Sequence, residues 1–177
     1  MKHLILTIVS GIILLICTNA YAAKWTVTLS EYQCIEVEKF IVDRNDYSTK
    51  KLERAASIPD ESLVSLQHKI VGEIIRKSIL PEVKKADLEP CKSKAIVFGG
   101  KVTEYKKGSR AARILIGLGA GKQKFEVQSY IKDKQTGNIL ASKKIVDRKF
   151  GGIAGGDEAK GERDFAEKAM RFVRSGK

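Results

Sequence analysis

The segment between residues 125 and 146 places the strongest constraint on the fold of this chain. Apolar and polar residues alternate from 125 to 132, which is the period of a strand with one buried face. The polar run 133–138 then supplies turn residues, and a second strand-like segment, 139–146, follows it. Strands joined by so short a turn lie antiparallel. The sequence therefore predicts an antiparallel sheet.

Three further segments have a strand pattern. Residues 25–29 and 35–40 form two β-rich runs, and 95–105 alternates with a period of two. Gly99 and Gly100 interrupt this last run, which indicates a bulge or a close approach of another backbone. The polar stretch 43–56 is predicted to be a loop.

Two segments have the periodicity of amphipathic helices. A capping serine, a proline and two acids at 57–61 precede the first, whose apolar residues repeat at helical spacing up to Pro81. A glycine-rich link, 151–161, leads into the second, which closes the chain. These elements predict an α+β fold with a single antiparallel sheet and two main helices packed on one face. The apolar positions of the helices are Leu63, Leu66, Ile70 and Ile74 in the first, and Phe165, Ala169, Phe172 and Val173 in the second.

The first 22 residues have the features of a secretory signal peptide. A lysine near the start is followed by an apolar run, 4–17, and by the small-residue site Ala20-Tyr21-Ala22. The run is shorter than the roughly 18 to 20 apolar residues of a membrane span, and no later stretch approaches that length. We expect cleavage after Ala22 and a single periplasmic or secreted domain at 23–177. Lipidation of Cys17 is the alternative, but Ile16 stands where lipoprotein processing requires a small residue.

Export changes the expected state of the cysteines, because disulfides persist in oxidising compartments. Cleavage after residue 22 leaves two cysteines, Cys34 and Cys91, without the spacing of a metal or redox motif. We predict a disulfide between them. Two buried thiols are the alternative.

The segment 117–122 contains three alternate glycines, Gly117, Gly119 and Gly121, followed by a lysine. A phosphate-binding loop requires a serine or threonine after that lysine, and Gln123 stands there instead. The dinucleotide fingerprint requires a helix after the glycines, whereas a predicted strand follows them. We therefore expect a structural glycine loop and no nucleotide cofactor.

The residue inventory argues against an enzyme. Of the two histidines, His3 leaves with the leader, so one, His68, remains in the first predicted helix. A single histidine meets neither the needs of a nucleophilic triad nor those of a catalytic zinc site. A carboxylate pair such as Glu36 and Glu38 stays formally open as a hydrolytic site. We predict no enzymatic activity, no metal and no cofactor.

Basic residues provide the remaining signal. The chain has 33 lysines and arginines against 21 acids and a net charge of +12, to which the leader contributes one lysine. Seven cations opposed by Glu104 alone lie between 100 and 124, and they define a candidate anion or partner surface. Few aromatic residues interleave them, so nucleic acid is not the expected partner. A solvated basic surface that binds nothing is the alternative. The candidate residues are Arg110, Arg113, Lys122 and Lys124.

An ordered set of motifs resembles the bacterial domain-of-unknown-function family 4410. The set covers Gly108-Ser109-Arg110-Ala111-Ala112-Arg113, Gly117-Leu118-Gly119-Ala120-Gly121-Lys122, Asp133 with Thr136-Gly137, and the pairs Gly151-Gly152 and Gly155-Gly156. The resemblance implies an exported envelope protein, often a lipoprotein in this family. It also implies a strand, a long helix, a glycine-marked sheet and a closing helix. It implies no chemistry.

These observations predict a non-enzymatic binding or assembly module of the bacterial cell envelope, with an envelope protein as its partner. Two alternatives stay open. The first is a basic domain that binds anionic envelope surfaces such as lipid headgroups, lipopolysaccharide or wall polymers. The second is a hydrolase with an unrecognised carboxylate pair.

Overall fold

The computed structural model describes residues 29–106, 123–148 and 158–175. Within them the chain forms an α+β fold with one mixed sheet. The strands are β1 (Cys34–Val37), β2 (Glu82–Lys85), β3 (Ala95–Lys106), β4 (Lys124–Asp133) and β5 (Ile139–Asp147), and the helices are α1 (Lys50–Ala56), α2 (Asp60–Arg76) and α3 (Glu158–Ser175).

The sheet has the order β2-β1-β3-β4-β5 and is not wholly antiparallel, so that prediction was wrong. β1 runs parallel to both β2 and β3, whereas β3, β4 and β5 form an antiparallel meander. The physical reason is the connection: α1 and α2 lie between β1 and β2, and a crossover of this length returns the chain to a parallel neighbour.

One local prediction near the N-terminal part of the domain also differs from the structure, and a second is tested at one residue only. The stretch 43–56 contains α1 at its end, where the side chain of Thr49 accepts a hydrogen bond of 3.3 Å from the amide of Leu52. Of the run 25–29, Leu29 begins a short 3₁₀ turn, and the other four residues lie outside the described part of the chain. The strand β2 was not predicted, because its sequence Glu-Val-Lys-Lys lacks alternation.

The predicted first helix and the predicted hairpin are confirmed, but the serine cap was wrong: Pro59 is the N-cap of α2 and makes no side-chain capping bond, while Ser57 ends α1. α2 ends in a turn in which Ser78 has a φ of 47° and the amide of Ile79 donates to the carbonyl of Ile74, a Schellman-type cap. The hairpin turn depends on Asp133, whose Oδ1 accepts from the amides of Gln135 at 2.9 Å and Thr136 at 2.8 Å.

Aromatic side chains join α3 to the sheet. The ring of Phe165 lies 4.8 Å from that of Phe125 in β4, and Phe172 lies 6.3 Å from Phe98 in β3. All four rings are buried in one hydrophobic core with the apolar residues of α2. Edge-to-face packing of this kind favours a fixed orientation of the helix over the strands.

Gly100 lies where β3 approaches β4 closely, as one of the two sequence interpretations predicted. A Cβ atom on Gly100 would lie 2.7 Å from Val127 Cγ1 and 2.8 Å from the carbonyl oxygen of Gln128. The register shift of β3 lies further along, between Val102 and Glu104. The glycine therefore serves the close approach of the two strands.

Candidate functional site

Most residues of the candidate anion or partner surface lie outside the described residues, so their prediction stays a prediction. These are Arg110, Arg113 and Lys122, together with the loop glycines Gly117, Gly119 and Gly121. Lys124, the first residue of β4, is described.

Lys124 lies between two buried carboxylates. Its Nζ is 2.7 Å from Glu104 Oε2 and 2.9 Å from Glu126 Oε2. The two glutamates are partners across β3 and β4, and their exposed fractions are 4% and 5%. We call Glu104, Lys124, Glu126 and Arg54 the carboxylate cluster. The charge of Lys124 is thus offset within the chain.

Further donors surround the same carboxylates. Arg54 of α1 donates to Glu104 Oε1 at 2.7 Å, and Thr103 donates through its hydroxyl to Glu126 Oε1 at 3.0 Å. Lys144 of β5 lies 3.4 Å from Glu126 Oε1. A buried charge is stable only when it is paired and hydrogen-bonded, and both glutamates meet this condition.

The electrostatics of the cluster favour ionised carboxylates. Burial by itself raises the pKa of Glu126, but the hydrogen bonds from Lys124 and Thr103 outweigh it and lower the pKa to about 2. The pKa of Glu104 is also lowered, because the bonds from Lys124 and Arg54 outweigh its burial. The bonds of Lys124 to Glu104 and Glu126 raise the pKa of its amine. A general acid requires a raised carboxyl pKa, which this pair does not have.

A groove of about 630 Å³ lies beside the cluster, between β5 and α3. Lys168 is one of its lining residues and donates to Asp147 Oδ2 at 2.6 Å and to the carbonyl of Val146 at 3.0 Å. Both signs of charge are present, so the groove is not a simple anion site. Its lining residues are Lys124, Val146, Asp147, Arg148, Asp164, Glu167, Lys168 and Arg171.

The predicted disulfide is confirmed. Cys34 in β1 is bonded to Cys91, and their Cα atoms are 6.1 Å apart. Glu36 accepts a hydrogen bond of 2.6 Å from the amide of Cys91, and Lys134 lies 2.5 Å from the same carboxylate. The carboxylate therefore joins β1, the hairpin turn and the disulfide.

The other residues considered for catalysis have structural contacts. His68 is exposed on α2, with Nε2 2.7 Å from Lys85 Nζ. Glu38 lies 3.0 Å from Lys132 Nζ and accepts from Tyr130, while Glu36 is held as described above. Within 29–106, 123–148 and 158–175 no group of three histidine, cysteine or acidic residues has a metal-binding arrangement. Among the described helices, none has the length and apolar character needed to span a membrane.

Sequence reasoning missed the carboxylate cluster because its members are distant in sequence. Glu104 and Lys124 are 20 residues apart, and Arg54 is 50 residues from Glu104. The one signal available was the i, i+2 spacing of Lys124 and Glu126, which places both side chains on one face of a strand.

The fold and the internally paired charges define a class: a disulfide-bonded α+β domain with a mixed five-stranded sheet. Within that class the chain belongs to a family described as a domain of unknown function (DUF4410), whose family model matches residues 30–155. No sequence match exists among curated proteins.

Two solved structures share the fold, and a third has a lower similarity. A variant PelC dodecamer from Paraburkholderia phytofirmans has a TM-score of 0.52 at 13% identity, covering 81% of this chain and 88% of that chain. A second PelC dodecamer from the same organism has a TM-score of 0.51 at 12% identity, covering 78% and 85%. Protein XCC0632 from Xanthomonas campestris has a TM-score of 0.45 at 11% identity, covering 81% and 80%. At these identities the likeness to the two PelC structures concerns the fold alone.

Proposed function

We propose that this protein is a non-enzymatic binding or assembly module of the bacterial cell envelope, exported by a leader cleaved after Ala22. The proposal has two parts: a location in the cell envelope, and a role in binding other molecules without catalysing a reaction. The two parts rest on separate observations.

The pairing of the buried carboxylates carries the non-enzymatic part. Six acidic side chains of the described residues are buried, and each has partners within the chain. Five of them are ion-paired with lysine or arginine, and Asp133 accepts from Tyr32 and the hairpin turn. Such pairing gives each of these six carboxylates a structural role among the described residues. The six are Glu36, Glu104, Glu126, Asp133, Asp147 and Glu162.

The disulfide supports the compartment. A bond between Cys34 and Cys91 persists in an oxidising environment such as the periplasm, which agrees with the signal peptide expected at 1–22. The PelC structures support the assembly part, because a protein of the same fold was crystallised as a dodecamer. A fold used for assembly in one protein is compatible with assembly in another.

The test is purification of the full-length, C-terminally tagged protein from the envelope of its native bacterium. We expect an intact mass that begins at Ala23, no lipid on Cys17, and a partner or further copies of the chain recovered in fixed ratio. The double variant Arg110→Ala/Arg113→Ala should reduce recovery if the candidate surface binds the partner. Lys92→Ala/Lys143→Ala removes two exposed charges elsewhere and serves as the control.

Two results would contradict the proposal. Salt-sensitive binding to anionic vesicles without a protein partner would favour the anionic-surface alternative. Turnover on a panel of glycans that is abolished by Glu126→Gln would establish a hydrolase and overturn the non-enzymatic role.

A further inference from the structure

Strand β2 is at one end of the sheet formed by the described strands. The amide of Glu82 donates to the carbonyl of Gln33 at 3.1 Å, and the amide of Ala86 donates to that of Val37 at 3.1 Å. Backbone groups alternate in direction along a strand, so those of Val83 and Lys85 point away from β1. No described residue accepts from the amides of Val83 and Lys85. Among the described residues, the outer edge of β2 therefore presents backbone donors without an acceptor.

An apolar groove of about 610 Å³ lies along this edge. The groove runs between the end of α2 and the start of β2. Ile75, which lines it, has 56% of its surface exposed. Val83 is in register with the fully buried Ile35, so its side chain lies on the core side of the sheet, next to the groove. The lining residues are Ile75, Ser78, Ile79, Leu80, Pro81, Glu82 and Val83.

Charges of opposite sign flank Val83 on the other side of the sheet. Glu82 and Lys84 lie in register with Cys34 and Glu36, and their charged groups are 3.3 Å apart. A second copy of β2 laid antiparallel about Val83 places Glu82 opposite the partner's Lys84, and Lys84 opposite the partner's Glu82. Directly opposite charges of unlike sign stabilise an antiparallel pair.

We propose that the protein forms a symmetric dimer in which the β2 strands of two copies pair antiparallel about a two-fold axis at Val83. The two sheets then become continuous, and the two apolar grooves meet at the axis. The alternative register, centred on Lys84, places two lysines directly opposite and is disfavoured. The interface is self-complementary, as a two-fold dimer requires.

The backbone groups at the ends of the paired segment agree with this register. The next hydrogen-bonded pair joins Pro81 to the partner's Lys85, whose amide donates to the Pro81 carbonyl. The return bond does not form, because proline has no N–H. The carbonyl of Lys85 is already satisfied, since it accepts from the amides of Leu88 and Glu89 at 3.1 Å each. No backbone group of the pair is left unsatisfied by the missing bond.

This inference does not depend on the proposed envelope role. The experiment measures the oligomeric state of the oxidised chain 23–177 by light scattering and sedimentation. We expect a dimer whose dissociation constant rises about tenfold or more in Glu82→Lys and in Lys84→Glu, because each change places like charges opposite at two symmetric positions. The double variant Glu82→Lys/Lys84→Glu should restore the wild-type constant.

The matched control is Glu31→Lys, which breaks an exposed pair with Lys94, 3.4 Å away, and should leave the constant unchanged. Val83→Cys tests the register, since a hydrogen-bonded pair on the axis has Cα atoms about 5.5 Å apart and a disulfide fits that distance. Lys85→Cys should not link, because its two copies lie about 13 Å apart. Circular dichroism confirms that each variant is folded.

A protein that stays monomeric up to about 100 μM would overturn the proposal. So would a dimer that is insensitive to Glu82→Lys and forms no link through Val83→Cys.

Discussion

Tyr130 donates a hydrogen bond of 2.5 Å to Glu38 across the backbone of Gly99. Gly99 and Tyr130 are register partners in β3 and β4, and Glu38 follows the end of β1. A Cβ atom on Gly99 would clash with Glu38 Oε2 and lie 2.7 Å from Tyr130 Oη. Burial and then the Glu38 carboxylate raise the pKa of Tyr130, which keeps the phenol a donor. Because it has no side chain, Gly99 of β3 leaves room for this bond between β4 and the residue that follows β1.

Gly99→Ala should lower the free energy of unfolding by about 1–2 kcal/mol, because the new methyl group displaces the Tyr130–Glu38 bond. Gly72→Ala is the control. It lies in α2 with nothing within 4 Å of its missing Cβ, so it should raise the free energy of unfolding by about 0.5–1 kcal/mol. Urea denaturation of both variants checks the prediction, and equal effects would contradict it.

Replacement of Lys69 by methionine should destabilise the contact between α2 and α3. Lys69 forms an ion pair with Glu162, which is 3% exposed. The Glu162 carboxylate also accepts a hydrogen bond of 2.9 Å from the hydroxyl of Ser65. Loss of the lysine leaves a buried carboxylate without its cation, at a cost of about 3 kcal/mol. Lys69→Met/Glu162→Gln should recover much of that loss.

Arg76→Ala is the matched control for this pair. This variant removes an ion pair within α2, in which Arg76 lies 2.5 Å from Glu73. Unlike Glu162, the arginine side chain is largely exposed, at 54%. Exposed pairs of this kind contribute less than about 1 kcal/mol. Thermal unfolding should therefore show a larger loss of stability in Lys69→Met than in Arg76→Ala. Equal losses of stability in the two variants would mean that the Lys69–Glu162 pair is solvated.

Glu126 should make the protein sensitive to acid over a defined range. Its pKa is about 2 in the folded state against 4.5 for an ordinary glutamate, so the stabilisation is present above pH 4.5 and is lost as the pH falls towards 2. The difference corresponds to about 3 kcal/mol. Urea midpoints measured at pH 7, 4.5 and 3 should fall more steeply in the wild type than in Glu126→Gln. Glu53→Gln, at an exposed position of α1, should follow the wild type.

Reduction of the disulfide should destabilise the domain. The bond between Cys34 and Cys91 closes a loop with a sequence separation of 57, and loop-closure entropy sets its contribution at about 2–4 kcal/mol. Thermal unfolding with and without reductant measures the effect. An unchanged midpoint, with mass spectrometry showing free thiols, would mean that the cross-link adds nothing to stability.

The candidate site shows how sequence reasoning reaches a limit. Lys124 belongs to a run of cations and was predicted as part of a partner surface, yet its charge is offset by Glu104 and Glu126. Charge counting along the chain cannot find this, because the pairing of β3 with β4 and the position of α1 bring the partners together. Equally, the edge of β2 became visible only once its parallel partner was known.

The sequence by itself determined the features that local physics controls. The acidic first turn and the apolar period of α2, the Asp133 turn with its two strands, and the family motifs are all written in consecutive residues. The pairing of Cys34 with Cys91 followed from their number and expected compartment.

The tertiary structure decided the parallel placement of β1 and β2 and the formation of α1. β2 has no alternating pattern of its own, and α1 buries one residue, Ala55. Both elements are stabilised chiefly by contacts with segments far away in the chain, such as the hydrogen bonds between β2 and β1 and the Arg54–Glu104 pair. Short segments gain too little from local interactions to offset their conformational entropy, so their structure depends on the packing around them.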